Sequence, residues 1–146
     1  MLQDEPHLKT YMMTTLNNVE LLSLPVIEDV RGNLAVIQEG IVPYSFKRVY
    51  YLFDVPSGAE RGGHAHIVQH ETLIALSGSF DIIVDDGTEK RKITLNRPNK
   101  GLLIPDGIWR ELENFSSGAV CLVIAEDVFD EADYIRHYKD FLESKR

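Results

Sequence analysis

From Val19 onward, short apolar runs alternate with turn signals, and few of the runs are long enough for a helix. Strands are predicted over 19–24, 34–38, 48–54, 72–76, 80–84, 92–95, 102–104, 108–112 and 120–125. Asp29-Val30-Arg31-Gly32-Asn33 reads as a turn, as do Ser77-Gly78 and Asp85-Asp86-Gly87-Thr88, the last a strong hairpin signal. Many short strands at close spacing predict an antiparallel sandwich or barrel. The period changes near the end. Tyr134, Ile135, Tyr138, Phe141 and Leu142 fall at i, i+1, i+4, i+7 and i+8. That spacing predicts one C-terminal helix, with Asp130 as its cap, lying over an open edge or face of the barrel. Residues 1–18 are weakly patterned and read as an N-terminal extension before a single domain over 19–146.

Charge narrows the partners. The 146 residues carry 15 Lys and Arg against 23 Asp and Glu, a formal net charge of −8. This argues against nucleic acid or an anionic membrane surface as the main partner, while leaving room for a local basic pocket. The lone Cys121 excludes an intrachain disulfide and any zinc site of several thiolates. It lies in an apolar run and reads as a small buried hydrophobe. No run approaches a membrane span, and the N-terminal stretch, with Asp4 and Glu5, lacks an apolar signal region, so the expected compartment is the cytoplasm.

The candidate chemistry sits between Gly58 and Gly78: Gly58, five residues, His64-Ala65-His66, four residues, Glu71, six residues, Gly78. Two histidines two apart on a strand share a face. In a small barrel, two imidazoles and a carboxylate would converge inside. A second segment echoes the first, with Gly101, Pro105-Asp106-Gly107, Arg110 and Asn114. Together the two segments resemble the paired motifs of the cupin superfamily, which implies a small jelly-roll barrel. Metal-binding cupins place a fourth ligand, a histidine, where this chain has Arg110. A guanidinium stays protonated and offers no lone pair, which argues against a metal although His64, His66 and Glu71 alone could form a facial triad.

The resemblance extends further. The runs Lys47-Arg48-Val49-Tyr50-Tyr51, Arg61-Gly62-Gly63-His64-Ala65-His66, Thr94-Leu95-Asn96-Arg97-Pro98, Trp109-Arg110-Glu111, Asn114-Phe115-Ser116-Ser117-Gly118 and Asp133-Tyr134-Ile135-Arg136 are similar to those of the nucleotide-sugar 3,4-ketoisomerases, or WxcM-like proteins. The resemblance implies a dTDP-linked 4-keto-6-deoxyglucose as ligand, movement of its ketone from C4 to C3, and no cofactor. It also implies a homodimer. The product would feed, through a separate aminotransferase, a 3-amino-3,6-dideoxy sugar for surface glycans such as the lipopolysaccharide O-antigen.

Elementary chemistry agrees with that activity. The carbonyl acidifies the neighbouring C–H, a base removes the proton, and an enediol returns it one carbon over; no electron leaves the substrate. A histidine neutral near pH 7 supplies the base, hydroxyl or imidazole donors suit the developing oxyanion, and arginines suit the diphosphate. His64 is assigned as base, with His66 orienting it or donating to the enolate; the two roles are exchangeable. Tyr50 is a candidate donor or a core tyrosine. Arg61 and Arg110, and more weakly Arg48 and Lys100, are candidates for sugar or diphosphate. Glu71 anchors His66 or a sugar hydroxyl, or pairs with an arginine. Trp109 should face away from Arg110 and pack. The C4 configuration of the product stays open: Arg110 is associated with the gluco outcome, whereas Arg31 points the other way if its turn reaches the site. The rival readings are a cupin 3,5-epimerase, a metal-dependent cupin, and a non-catalytic sugar-binding cupin.

Overall fold

A computed structural model describes residues 11–146. They form twelve strands and a single helix longer than one turn, Tyr138–Ser144. The strands are β1 Glu20–Ser23, β2 Val26–Ile27, β3 Leu34–Ala35, β4 Arg48–Leu52, β5 Arg61–His66, β6 Glu71–Ser77, β7 Phe80–Asp85, β8 Lys90–Leu95, β9 Lys100–Ile104, β10 Trp109–Glu113, β11 Val120–Ala125 and β12 Tyr134–Ile135. One sheet runs β1-β9-β6-β11-β4 and the facing sheet β12-β5-β10-β7-β8; β2 and β3 form a small hairpin of their own. All strand pairs are antiparallel. Among the described residues, no helix is long and apolar enough to cross a membrane.

Period-two alternation sorts the side chains. Leu73, Ala75, Cys121, Val123, Ile82, Val84, Leu102 and Ile104 point between the sheets into the main core. Their neighbours Ile74 and Ile124 point outward and are covered by Ile37, Ile41 and Phe46. On the outer face of the second sheet, Ala65 and Trp109 pack under Phe141. Trp109 thus faces away from Arg110, as the alternation predicts, and Cys121 is fully buried. The β7–β8 hairpin turns at Gly87, whose φ of +92° is open to glycine and strained for other residues.

The C-terminal prediction needs correction in its extent. The helix begins at Tyr138 rather than at Tyr134. Tyr134 and Ile135 instead form β12, pairing with His66 and Ala65. Asp130 caps only the 3₁₀ turn Glu131–Asp133. The apolar spacing fits either periodicity. The open edge of β5 decides the outcome, because its backbone groups need hydrogen-bond partners. The apolar strand predicted over 19–24 pairs with β9 of its own chain.

Residues 11–18, within the predicted extension, lie against the barrel. Tyr11 is buried with its hydroxyl 2.6 Å from Ser144 Oγ, Leu16 enters the main core, and Lys145 Nζ donates to the carbonyls of Tyr11 and Thr14. Residues 1–10 of the extension lie outside the described residues.

Candidate active site

Four strands deliver the predicted cluster to one end of the barrel. β5 and β10 are paired so that His64 lies directly opposite Arg110, on the same inward face. β6 begins with Glu71 and β4 carries Tyr50. Arg110, Glu71 and His66 are 1%, 1% and 0% exposed, and His64 is 9% exposed. Three charged or chargeable groups so deeply buried must satisfy one another. Arg110 Nη1 donates to Glu71 Oε1 at 2.8 Å, Tyr50 donates to Glu71 Oε2 at 2.9 Å, and Arg110 Nη2 donates to the Ile108 carbonyl. His66 Nε2 lies 3.2 Å from Glu71 Oε1 and 3.1 Å from His64 Nε2.

The cluster forms the floor of a cavity of about 230 Å³. His64 lines it; His66 does not and sits behind. Arg48, Tyr50, Arg61, Glu71 and Arg110 line it too, so most of the predicted residues are brought together. Lys100 is not among them. It opens β9, and its ammonium donates to Ser23 Oγ on β1. Arg31 lies in the β2–β3 turn, ion-paired to Asp29, and does not line this cavity.

Three functional candidates escaped the sequence reading as individual residues, all from the run 133–136. Asp133 Oδ2 accepts from His66 Nδ1 at 3.0 Å. Tyr134 places its ring 5.0 Å from that of His64 and 4.5 Å from that of His66, with its hydroxyl within reach of Arg48. Arg136 stacks on the Tyr134 ring and lines the cavity. The available signal was strand alternation, which places 134 and 136 on one side.

Electrostatics separates His64 from an ordinary surface imidazole. Burial, and then the nearby Arg110 charge, push His64 down from 6.5 to about 2, so it is neutral at physiological pH. Burial alone would raise Glu71, but its bond to His66 and the charges of His66 and Arg110 outweigh it and hold the carboxyl at about 2. Asp133 is also lowered: burial opposes ionisation and the His66 bond overrides it. Tyr50 is pushed upward by burial and then by Glu71, so its hydroxyl keeps its proton.

His64, His66 and Glu71 bring one donor atom each within 4.8 Å of the others, the geometry of a metal triad. The donor set does not fit a cation. Glu71 Oε1 is already bound by a guanidinium, whose fixed charge would repel a metal at that point. The cavity instead carries Arg48, Arg61, Arg110 and Arg136 in a chain of net charge −8, a local field for an anionic ligand. A neutral imidazole in a cavity can take a proton from carbon, and the cationic donors beside it can stabilise the resulting oxyanion.

The chain is similar to known proteins. The model of the FdtA family (WxcM-like, C-terminal) matches residues 17–146. The chain is 42% identical over 123 residues to the TDP-4-oxo-6-deoxy-alpha-D-glucose-3,4-oxoisomerase of Aneurinibacillus thermoaerophilus, an alignment covering 84% of this chain and 88% of that one. Among solved structures it is similar to the WlaRB TDP-quinovose 3,4-ketoisomerase of Campylobacter jejuni, at 48% identity and a TM-score of 0.82, covering 86% of this chain and 98% of that one. It is also similar to a mutant of the 3,4-ketoisomerase QdtA of Thermoanaerobacterium thermosaccharolyticum in complex with TDP-4-keto-6-deoxyglucose. There the identity is 38% and the TM-score 0.87, with 90% of this chain and 96% of that one covered.

Proposed function

The chain belongs to the FdtA family of WxcM-like proteins, and on that premise we propose that it is a 3,4-ketoisomerase acting on TDP-4-keto-6-deoxyglucose, moving the ketone from C4 to C3. The observation that carries this reading is the pair of imidazoles 3.1 Å apart, one on the cavity wall and the other backed by carboxylates.

In this account His64, neutral and facing the cavity, removes the C3 proton. The enediolate oxygen forms beside Arg110, and the proton is returned at C4. Arg110 and Glu71 hold each other in place, so the guanidinium meets the developing charge without reorganising. Tyr50 donates to Glu71 and orders that carboxylate. Arg61 and Arg48, at the cavity wall, take the diphosphate, joined by Arg136. The chemistry conserves electrons, and these organic groups suffice for it. The 3-keto product presents a carbonyl suited to an aminotransferase, in a route toward 3-amino sugars of surface glycans. We place the reaction in the cytoplasm, the compartment in which the sole buried thiol, Cys121, stays reduced.

We further propose a homodimer. β4 is the edge of its sheet and exposes Val49 and Tyr51, followed by Phe53, each more than half exposed. An apolar edge strand of this kind associates unless covered.

The assignment of roles is tested by replacement. His64→Asn is expected to lower kcat by about 10²–10⁴ with the fold intact, the usual cost of removing a general base. Near-normal turnover in His64→Asn alongside an inactive His66→Asn would reverse the two roles, and activity in both would place the chemistry elsewhere.

A further inference from the structure

The pairing of β5 with β10 holds one residue more on β5 than on its partner. His64 stands opposite Arg110 and Arg61 opposite Leu112, so three steps along β5 answer two along β10. Side chains alternate along a regular strand, and residues three apart face opposite ways. Here Arg61, Gly62 and His64 all line the active-site cavity, as do Arg110 and Leu112. The alternation breaks between Arg61 and Gly62, at a β-bulge with Gly62 in the left-handed region at a φ of +78°. Beyond Gly62 it is regular again: Gly63 turns outward, toward the Trp109 ring, and His64 turns inward.

A side chain at position 62 meets two obstacles. Its Cβ would fall 2.6 Å from Leu112 Cδ1, and most L-residues are strained at that φ, Asn and Asp least. A regular ladder is close at hand as the alternative. β5 begins at Arg61, and residues 53–60 before it belong to neither helix nor strand, so only the first residue of the strand has to re-pair. In that ladder position 62 stands opposite Leu112 and Arg61 opposite Glu113. Arg61 then faces outward, and Glu60 takes the next inward place at the mouth of the cavity. An anion replaces a cation where the diphosphate is held. His64, His66 and Arg110 lie beyond the bulge and keep their places.

Resting on the ketoisomerase reading, we infer that Gly62 is a positioning residue: its left-handed backbone makes the bulge that sets Arg61 on the same face as His64. One strand thereby carries both a cation for the diphosphate and the base for the sugar.

The test measures TDP affinity by calorimetry together with turnover of TDP-4-keto-6-deoxyglucose. Gly62→Val should weaken TDP binding by about tenfold or more, as Arg61→Met does, and raise KM in step, with kcat within about threefold of wild type. Gly62→Asn carries the same Cβ but tolerates positive φ, and should recover most of that loss. Adding Glu60→Arg to Gly62→Val returns a cation to the inward place and should restore TDP affinity. In the wild type the same substitution should change it by less than about threefold. Deleting one of the two glycines leaves Arg61 two places from His64 in a regular ladder, still opposite Leu112, and should keep TDP affinity within about threefold. Cross-strand nuclear Overhauser contacts between residue 61 and Leu112 read the pairing without any ligand. They should be present in the wild type and the deletion variant and lost in Gly62→Val.

Wild-type TDP affinity in Gly62→Val, binding by Gly62→Asn as weak as by Gly62→Val, or an equal gain from Glu60→Arg in the wild type would each overturn the inference. Should Gly62→Val not fold, the deletion variant carries the test, and a folded deletion variant that has lost TDP binding refutes it. Absence of ketone migration in the wild type would instead overturn the isomerase reading, leaving the bulge to be judged by TDP affinity and the contact between residue 61 and Leu112.

Discussion

Removing Glu71 is the perturbation to which this barrel should respond most sharply, because among the described residues Arg110 has no other anionic partner at hydrogen-bond distance. Its guanidinium is 1% exposed, bound to Glu71 Oε1 at 2.8 Å and otherwise to a single carbonyl. Glu71→Leu leaves a buried cation uncompensated, a loss that costs about 3–5 kcal/mol. Arg110→Met is milder, because Glu71 keeps Tyr50 and His66 as partners; it should cost about 2–3 kcal/mol. The double variant removes both charges together and should cost less than Glu71→Leu alone, a coupling of about 3 kcal/mol. Urea unfolding of the wild type, the two single variants and the double variant measures the cycle. In heat the first variant should melt about 10 °C early, given about 2–4 °C per kcal/mol at this size. Additive costs in the double variant, or a loss under about 1 kcal/mol for Glu71→Leu, would refute the claim that the pair is a buried, mutually dependent unit.

Stability should fall with acid through His64. The unfolded chain binds a proton below 6.5 that the native ring refuses down to about 2, so the unfolded state holds more protons and gains as pH falls. Between pH 7.5 and 4.5 the wild type should lose about 2–3 kcal/mol more than His64→Asn, and equal losses in urea titrations would contradict this. Activity should survive dialysis against a strong chelator, since Arg110 occupies the carboxylate a metal would need; loss that iron, manganese or zinc restores would count against that reading. Light scattering at micromolar concentration should give the mass of a dimer, and a monomer mass would remove the role proposed for the β4 edge.

The barrel was legible because two-residue periodicity is a local property. Leu73 and Ile74, adjacent in sequence, enter different clusters as alternation requires. The convergence of His64, His66, Glu71 and Arg110 was legible for the same reason, once the strands were placed. What sequence could not supply was pairing between distant segments. Whether Tyr134 and Ile135 continue a helix or join β5 depends on an edge some 70 positions earlier, and Asp133 reaches His66 only because that edge is filled. Lys100 was drawn into the site as one more cation near a motif; its direction follows from the pairing of β9 with β1, which local pattern does not encode. Tyr11 lies in a weakly patterned stretch, and its burial arises from Ser144 and Lys145 at the other end of the chain.

The central claim is tested most directly by incubating the purified protein with TDP-4-keto-6-deoxyglucose in deuterated water and following both carbons by NMR. The account predicts that the ketone signal moves from C4 to C3. Deuterium entering at C3 and C5 with the ketone still at C4 would mark a 3,5-epimerase, and an unchanged, unlabelled sugar would mark a binding protein; either result would contradict it.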